Sequence, residues 1–264
     1  MDLGLKGRIA VVSGSTAGIG FAVANTLAAE GAKVVVSGRT AERVNSAVEK
    51  IRKHAPNADV SGIAADLSSA AGTQNFANQA PEADVLINNL GIFEPKPFAE
   101  IPDADWQRFF EVNVMSGVRL SRQYLPGMLR KNWGRIIFIS SESGQQIPAE
   151  MIHYGMTKTA QIAIARGLAE SVAGTGVTIN SVLVGPTNSE GVGSFVEDLA
   201  KQQGVSKGEF EKKFFESVRP SSLLKRFETP EEVAAVVAFI ASAQSVTING
   251  AAVRADGGVV RSIL

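Results

Sequence analysis

Short apolar runs alternate with amphipathic stretches along most of the chain. The apolar runs predict buried strands, because a parallel strand covered on both faces is apolar throughout. The stretches between them have apolar residues at helical spacing and predict helices. Predicted strands lie at residues 8–13, 33–37, 60–65, 84–88, 134–140, 177–184 and 251–255, and the main predicted helices at 21–30, 41–54, 103–130 and 153–172 and after 229. This alternation predicts an α/β fold.

One long interval does not follow the alternation. Residues 188–227 contain glycines at 191, 193, 204 and 208 around short amphipathic pieces at 195–200 and 210–218. Loop insertions of this kind commonly cover a ligand site and open and close over it. We therefore expect residues 188–227 to form a mobile substrate lid within a single domain that spans residues 1–264.

Local signals concern two of the predicted helices. Thr229, Pro230 and Glu232 stand in the order of N-cap, first helical residue and capping-box partner. Asp103 is the predicted N-cap of an earlier helix. Asn113 lies in the middle of that earlier helix, where Asn is unfavourable because its side chain competes for backbone hydrogen bonds. This position therefore indicates a role other than helix formation.

A glycine turn joins the first predicted strand to the first predicted helix. Gly14, Gly18 and Gly20 have the spacing Gly-x-x-x-Gly-x-Gly. Such a turn lets the backbone approach a pyrophosphate and directs helix N-terminal amides toward it. A strand-to-helix turn needs glycine with or without a ligand, so the pattern alone leaves both interpretations open.

The end of the second predicted strand bears on the choice of cofactor. An acidic residue there would bind the adenosine 2′-hydroxyl of NAD, whereas an arginine accommodates the 2′-phosphate of NADP. Gly38 supplies no acid and Arg39 follows it. We expect NADP(H) to be preferred, although NAD(H) is possible, with the hydroxyls of Ser15, Ser37 and Thr40 as further phosphate donors. The alternative is that Arg39 is a solvated loop residue.

Ser141, Tyr154 and Lys158 are the candidate catalytic group. Tyr154 and Lys158 are four residues apart, so on a helix their side chains share a face. A free phenol has a pKa of about 10, and a neighbouring cation can lower it by roughly 1–3 units. Ser141 follows an apolar strand, at the edge where α/β sheets bind ligands. The three groups could polarise and protonate a carbonyl; the alternative for Tyr-x-x-x-Lys is an ordinary amphipathic helix.

Composition and charge narrow the classes of partner. The 264 residues are 45% hydrophobic, and Lys+Arg and Asp+Glu number 26 each, which gives no electrostatic reason to expect nucleic acid or an anionic membrane. The absence of Cys excludes disulfides and thiol catalysis, and the two His have no accompanying carboxylate cluster, so we expect no metal site. Residues 1–10 lack the apolar core of a signal peptide, and no run reaches the ~18 apolar residues of a membrane span. We expect a cytoplasmic protein.

A set of short motifs follows a fixed order from about residue 5 to residue 258. In chain order they are Ser13-Gly14-Ser15-Thr16-Ala17-Gly18-Ile19-Gly20, Asp66-Leu67, Asn88-Asn89-Leu90-Gly91, Asn113, Ser141, Tyr154-Gly-Met-Thr-Lys158, Asn180-Ser-Val182 and Asp256-Gly257-Gly258. Together they resemble the short-chain dehydrogenase/reductase family in its single-domain form. The resemblance implies a doubly wound Rossmann fold with a seven-stranded parallel sheet of order 3-2-1-4-5-6-7, assembled as a homodimer or homotetramer.

The resemblance also implies roles for individual positions. The implied catalytic tetrad is Asn113, Ser141, Tyr154 and Lys158, in which Tyr154 delivers the proton, Lys158 holds the nicotinamide ribose and Asn113 supports a water relay. The implied cofactor-binding residues are Gly14, Ser15, Thr16, Gly18, Ile19, Gly20, Arg39, Thr40, Asp66, Leu67, Asn89, Gly91, Tyr154, Lys158, Gly185 and Thr187. Leu90 and Val184-Gly185-Pro186 depart from the usual family residues, which leaves the local packing open.

The implied reaction is reversible hydride transfer between NADP(H) and a carbonyl or secondary alcohol. One alternative is reduction of 3-oxoacyl thioesters on acyl carrier protein. Such reductases resemble one another in a pair of surface arginines; Arg130 matches one position, but Thr175 occupies the other. A small ketone, alcohol or sugar-like compound is therefore the preferred substrate class. A regulator that binds NADP(H) without turnover is the alternative of a different class, and the complete tetrad favours the enzyme.

Overall fold

A seven-stranded parallel sheet forms the centre of the protein, as seen in a computed structural model that describes residues 1–190 and 204–263. The strands are β1 Ile9–Val12, β2 Lys33–Gly38, β3 Val60–Ala64, β4 Val85–Asn88, β5 Gly134–Ser141, β6 Val177–Val184 and β7 Ala252–Ala255. Their order is β3-β2-β1-β4-β5-β6-β7, and every neighbouring pair is parallel. The predicted strand order is confirmed.

Helices cover both faces of this sheet. They are α1 Gly18–Ala29, α2 Ala41–His54, α3 Ala70–Gln79, α4 Asp103–Phe110, α5 Ser116–Lys131, α6 Ile152–Ser171, α7 Lys207–Ser217 and α8 Pro230–Ala241. Successive residues of a strand point to opposite faces, so Ala10 and Val12 pack in one apolar core with α1 and α8, while Val11 packs in another with α5 and α6. The predicted doubly wound architecture is confirmed.

β5 and β6 are the longest strands of the sheet and carry much of the site. They pair over eight residues, from Gly134 opposite Val177 to Ser141 opposite Val184, and every residue of both strands is buried. A continuous apolar run is what burial on both faces requires. Because all strands are parallel, the loops that follow β1, β4, β5 and β6 meet at one edge of the sheet.

The long helix predicted over residues 103–130 is interrupted. α4 ends at Phe110, a π-helical turn spans Glu111–Met115, and α5 begins at Ser116. Single π turns inside helices are frequent at functional sites, and this one holds Asn113. The predicted N-cap was wrong by one residue, because Pro102 takes that position and Asp103 is the first helical residue.

The predicted start of the last helix is confirmed. Thr229 Oγ1 accepts a hydrogen bond from the Glu232 backbone at 3.2 Å, and the Glu232 carboxylate accepts one from the Thr229 backbone at 2.8 Å. Pro230 is the first helical residue, where its missing N–H costs nothing. Within the predicted lid, residues 195–200 lie outside the described residues, and the piece predicted at 210–218 corresponds to α7.

Candidate active site

A cavity of about 470 Å³ lies at the carboxyl edge of the sheet. Its walls come from the start of α1, the loops after β4, β5 and β6, the start of α6, and the region of α7. Ser141, Tyr154 and Lys158 all border it. The structure therefore brings the predicted catalytic side chains together at the edge where open α/β sheets bind ligands.

Lys158 places a buried amine beside this cavity. α6 carries Tyr154 and Lys158 one turn apart, as their spacing predicted. The Lys158 Nζ donates to the Ile139 carbonyl at 2.9 Å and to Gln161 Oε1 at 3.3 Å. Burial lowers the pKa of Lys158 to about 8, against the opposing effect of the Glu142 charge. The amine therefore stays mostly protonated at neutral pH.

Tyr154 does not have the lowered pKa that its spacing from Lys158 suggested. Burial first, and then the negative charge of Glu142, raise the pKa of Tyr154 above its ordinary value, while a hydrogen bond from Ser141 and the positive charge of Arg219 act in the opposite direction. The Lys158 Nζ lies 5.5 Å from the centre of the tyrosine ring and is hydrogen-bonded elsewhere. Tyr154 is therefore a protonated phenol at neutral pH, which suits a proton donor.

Glu142 and Arg219 are charged residues of the site that sequence reasoning missed. Glu142 is only 4% exposed, and its carboxylate accepts hydrogen bonds from Ser141 Oγ, Ser143 Oγ and the Ser143 backbone. Its other oxygen accepts from Arg219 Nε at 2.8 Å. A carboxylate directly after a buried strand was the sequence signal for Glu142. Arg219, 77 residues away, had no such signal.

Asn113 holds the loop after β4 against α6. Its side chain amide pairs with both the N–H and the C=O of Ile92, at 2.8 and 2.9 Å, and donates to Thr157 Oγ1 at 3.0 Å. The Asn113 backbone carbonyl, in the π turn, accepts from Gln161 Nε2 at 2.6 Å. Since Gln161 Oε1 also binds Lys158, the Gln161 amide joins Asn113 to Lys158, and the water relay behind Lys158 stays a prediction. Sequence reasoning missed Gln161, because nothing distinguishes it from other helical Gln residues.

The glycine turn has the close packing that a diphosphate site needs. Gly14 and Gly18 have φ of +62° and +57°, and a Cβ at Gly20 would lie 2.4 Å from the Asn89 amide nitrogen. That amide braces the turn by donating to the carbonyls of Ser13 and Gly14 at 3.1 and 3.0 Å. α1 begins with no side-chain cap and no acidic residue in its first turn, so its N-terminal amides suit an anion.

Ser15 and Ser37 do not serve as phosphate donors, contrary to expectation. Both are fully buried, and both donate their hydroxyl protons to the Val12 carbonyl, at 2.7 and 3.1 Å. They also accept from backbone amides, so they join β1 to β2. Arg39 is exposed and forms no ion pair with any residue in ranges 1–190 and 204–263. Thr40 is also exposed, and its hydroxyl oxygen caps α2.

The remaining predicted cofactor residues surround the same edge. Thr16 and Ile19 are partly exposed in the glycine turn, and Gly91 lies where an added Cβ would be 3.6 Å from Lys158 Nζ. Asp66 is exposed and accepts from the Ser68 hydroxyl at 2.7 Å. Leu67 is 3% exposed and belongs to the core, so its side chain is not free to contact an adenine.

The turn after β6 completes the edge. A Cβ at Gly185 would lie 2.7 Å from the Asp256 carbonyl, so only glycine fits there. Thr187 is buried and donates its hydroxyl to the Gly185 carbonyl at 3.0 Å. Leu90, which departs from the family pattern, packs against the core beside Gly14. Leu90 and the Val184-Gly185-Pro186 turn, which depart from the usual family residues, thus both pack without disrupting the site.

Metal-binding clusters and membrane-spanning helices are both absent from the described ranges. No group of three or more His, Asp or Glu side chains is placed there to hold a metal ion. No helix in those ranges combines the length and the apolar composition needed to cross a membrane.

A parallel sheet with a glycine turn after β1 and a Tyr–Lys pair beside the cavity defines an oxidoreductase of the Rossmann type. The family model described as short chain dehydrogenase matches residues 8–200. The chain therefore belongs to the short-chain dehydrogenase/reductase family of oxidoreductases, which act on CH–OH and C=O groups.

Relatives and solved structures agree with this assignment over the full chain. The chain is 47% identical to the uncharacterized oxidoreductase YvaG of Bacillus subtilis, with 100% of both chains covered. It is 32% identical to a D-beta-hydroxybutyrate dehydrogenase of Cupriavidus necator, covering 97% of this chain and 99% of that protein. The structure of L-sorbose reductase from Gluconobacter frateurii, complexed with NADPH and L-sorbose, matches with a TM-score of 0.94, 28% identity and 100% of both chains. These similarities support binding of a nicotinamide cofactor and a small-molecule substrate.

Glu228 is a buried carboxyl group beside the turn after β6. It is 6% exposed, and its Oε1 would lie only 2.7 Å from a Cβ added at Gly185. Its Oε2 has no hydrogen-bond partner among the described residues. Burial, and then the negative charge of Asp256, raise the pKa of Glu228 to about 7. The folded protein thus holds a proton there that an unfolded chain would release at lower pH.

Glu228→Gln should stabilise the protein more at about pH 8 than at about pH 5. The folded pKa lies above the unfolded value, so the wild type loses stability as the pH rises between them, and glutamine cannot undergo this loss. The expected gain at the higher pH is about 1–3 kcal/mol. Urea unfolding at both pH values measures it. Glu231→Gln, an exposed neighbour, is the control, and an equal effect of Glu228→Gln at both pH values would contradict the argument.

Proposed function

We propose that the protein interconverts a carbonyl and a secondary alcohol with NADP(H), and that Tyr154 is the general acid and base. The observation that carries the proposal is the convergence of Ser141, Tyr154 and Lys158 on one cavity at the carboxyl edge of the sheet. The phenol is protonated at neutral pH, as a donor to a carbonyl oxygen must be.

Each part of the site has a role in this reaction. The amides at the start of α1 would hold the diphosphate, and Arg39 the 2′-phosphate. The nicotinamide ring, when bound, supplies or accepts the hydride. Lys158 would bind the nicotinamide ribose, and Ser141 would orient the substrate oxygen. Tyr154 gives its proton to that oxygen during reduction and takes one from the alcohol during oxidation.

The cavity favours a small substrate with an apolar portion. Phe210, Phe214 and Phe227, from the described part of the predicted lid, form part of its wall. The sugar and hydroxy-acid chemistry named for the similar proteins is of this size. The carrier-protein alternative has weaker support, because Arg130 is exposed at the end of α5 but Thr175 occupies the second arginine position. Location in the cytoplasm and assembly as a homodimer or homotetramer stay predictions.

Arg39→Ala should selectively weaken NADPH binding. The exposed Arg39 has no ion-pair partner in the described ranges, and it follows a strand whose end carries no acid. Loss of one charge-assisted hydrogen bond costs about 1.5–3 kcal/mol. Fluorescence titrations with NADPH and NADH measure the effect, with Lys50→Ala, exposed on α2, as the control. Equal affinity of the unaltered protein for the two cofactors would defeat the NADP assignment.

Residues 204–227 should gain protection from hydrogen exchange when NADPH and a substrate bind. This described part of the proposed lid supplies three phenylalanines to the cavity wall, and closure over a ligand would bury its amides. β5, which is buried throughout, serves as the internal reference. Strong protection of residues 204–227 before any ligand is added would contradict the lid.

Tyr154→Phe should retain NADPH binding but reduce turnover by about 10²–10⁴-fold or more, because it removes only the transferable proton. Lys158→Ala should damage both cofactor affinity and rate. The two effects should not add, since the residues act together. Turnover is followed by NADPH absorbance over a panel of carbonyls and alcohols.

Tyr124→Phe is the matched control, because the chain has two tyrosines and the Tyr124 hydroxyl binds the Ala80 carbonyl within the core. It should leave turnover near normal. Near-normal turnover in Tyr154→Phe would refute the proton-donor role. Absence of turnover on the whole panel, with NADPH binding intact, would favour the non-catalytic regulator.

A further inference from the structure

The buried ion pair of Glu142 and Arg219 lies at the catalytic end of β5. We propose that Glu142 is a positioning residue that sets the direction of the Ser141 hydroxyl proton beside Tyr154, and that Arg219 holds Glu142 in place. The inference rests on the proposed function, since it concerns the proton that Tyr154 transfers.

The directions of the hydrogen bonds at the Ser141 hydroxyl support a positioning role for Glu142. A serine hydroxyl has one proton and two lone pairs. Ser141 gives its proton to the Glu142 carboxylate and accepts from the Ser143 backbone at 3.1 Å. Ser141 and Tyr154 border the same cavity, and a hydrogen bond from Ser141 lowers the pKa of Tyr154 because it stabilises the tyrosinate. Glu142 competes for the Ser141 proton and so favours the protonated phenol.

Arg219 supplies the second step. It is 8% exposed and follows α7, so it reaches the catalytic edge from the side of the proposed lid. Its Nε binds Glu142 at 2.8 Å and its Nη1 binds Glu150 at 3.1 Å. A buried carboxylate keeps its charge and its orientation only when it is paired in this way. Arg219 thus fixes the carboxylate that receives the Ser141 proton.

The charges around Tyr154 oppose one another. A negative charge at Glu142 disfavours the tyrosinate, and a positive charge at Arg219 favours it. His153, on the same helix, packs against Phe109 with ring centres 4.0 Å apart. The charged groups of the described residues that border the cavity are Glu142, Glu150, Lys158, Lys213 and Arg219. Glu142 therefore favours the proton-donating form of Tyr154, which serves carbonyl reduction near neutral pH, and Arg219 limits this effect.

Neutralising the two members should change alcohol oxidation in opposite directions. Oxidation needs the tyrosinate, so below its pKa the rate follows the tyrosinate fraction. Glu142→Gln should raise kcat/KM for oxidation near neutral pH by about tenfold, and Arg219→Gln should lower it by about tenfold, as a shift of about one pH unit requires. The pH–rate profile of Glu142→Gln should move to lower pH, and that of Arg219→Gln to higher pH. A purely structural role would give no gain in Glu142→Gln.

The assay uses NADP⁺ with isopropanol, cyclohexanol and sorbitol, whose lack of charge keeps the substitutions from acting on the substrate. The fastest of these alcohols is used for the profiles. Glu150→Gln removes the other partner of Arg219 without touching Ser141, so its profile should move less than half as far as that of Glu142→Gln. Arg219→Lys keeps the charge and should restore most of the rate lost in Arg219→Gln.

NADPH binding and thermal unfolding establish that each variant is folded. If a neutralising variant does not fold, Glu142→Asp is tested instead, because it keeps the negative charge but withdraws the carboxylate from Ser141. A pH–rate profile of Glu142→Asp that moves to lower pH supports the proposal, and an unchanged profile overturns it. Profiles of Glu142→Gln and Arg219→Gln that do not move, or that move the same way, also overturn it. Full turnover in Tyr154→Phe would instead defeat the proposed function itself.

Discussion

A protonated amine held almost out of reach of water is the constraint on which the site depends. Lys158 is 5% exposed, and a buried ammonium is costly unless fixed dipoles replace its hydration. The Ile139 carbonyl, at the end of β5, and the Gln161 amide supply those dipoles. Because Gln161 is itself held by the Asn113 carbonyl, the strand, α6 and the π turn must all be in place for one amine to be tolerated.

The parallel sheet and most of the site were predictable because their signals are local. The apolar run that predicts β5 and the spacing of four positions from Tyr154 to Lys158 both depend only on neighbouring residues. The same reasoning failed for hydroxyls whose partners are distant in sequence. Ser15 and Ser37 looked like phosphate donors, but the pairing of β1 with β2 turns both inward. No local sequence pattern indicated whether these serine side chains point toward the core or toward a ligand.

The charged residues that the sequence did not reveal share a physical cause. Glu142 meets Arg219 across 77 positions, and Glu228 meets Gly185 across the turn after β6. In both cases the fold buries a carboxylate that composition would place at the surface. The protonation of Tyr154 likewise follows from desolvation and from Glu142, neither of which is visible in the spacing from Lys158.

The π turn at Glu111–Met115 limits which insertions and deletions the helices on either side of it can tolerate. It inserts one residue without adding a turn, which rotates every later side chain by about 100° relative to a regular helix. The apolar face of α5 is therefore out of phase with that of α4. Loss of a single residue there would bring the two helices into phase and displace the Asn113 carbonyl that Gln161 binds. Alignments that slide by one position in this region would thus misplace an entire helix face.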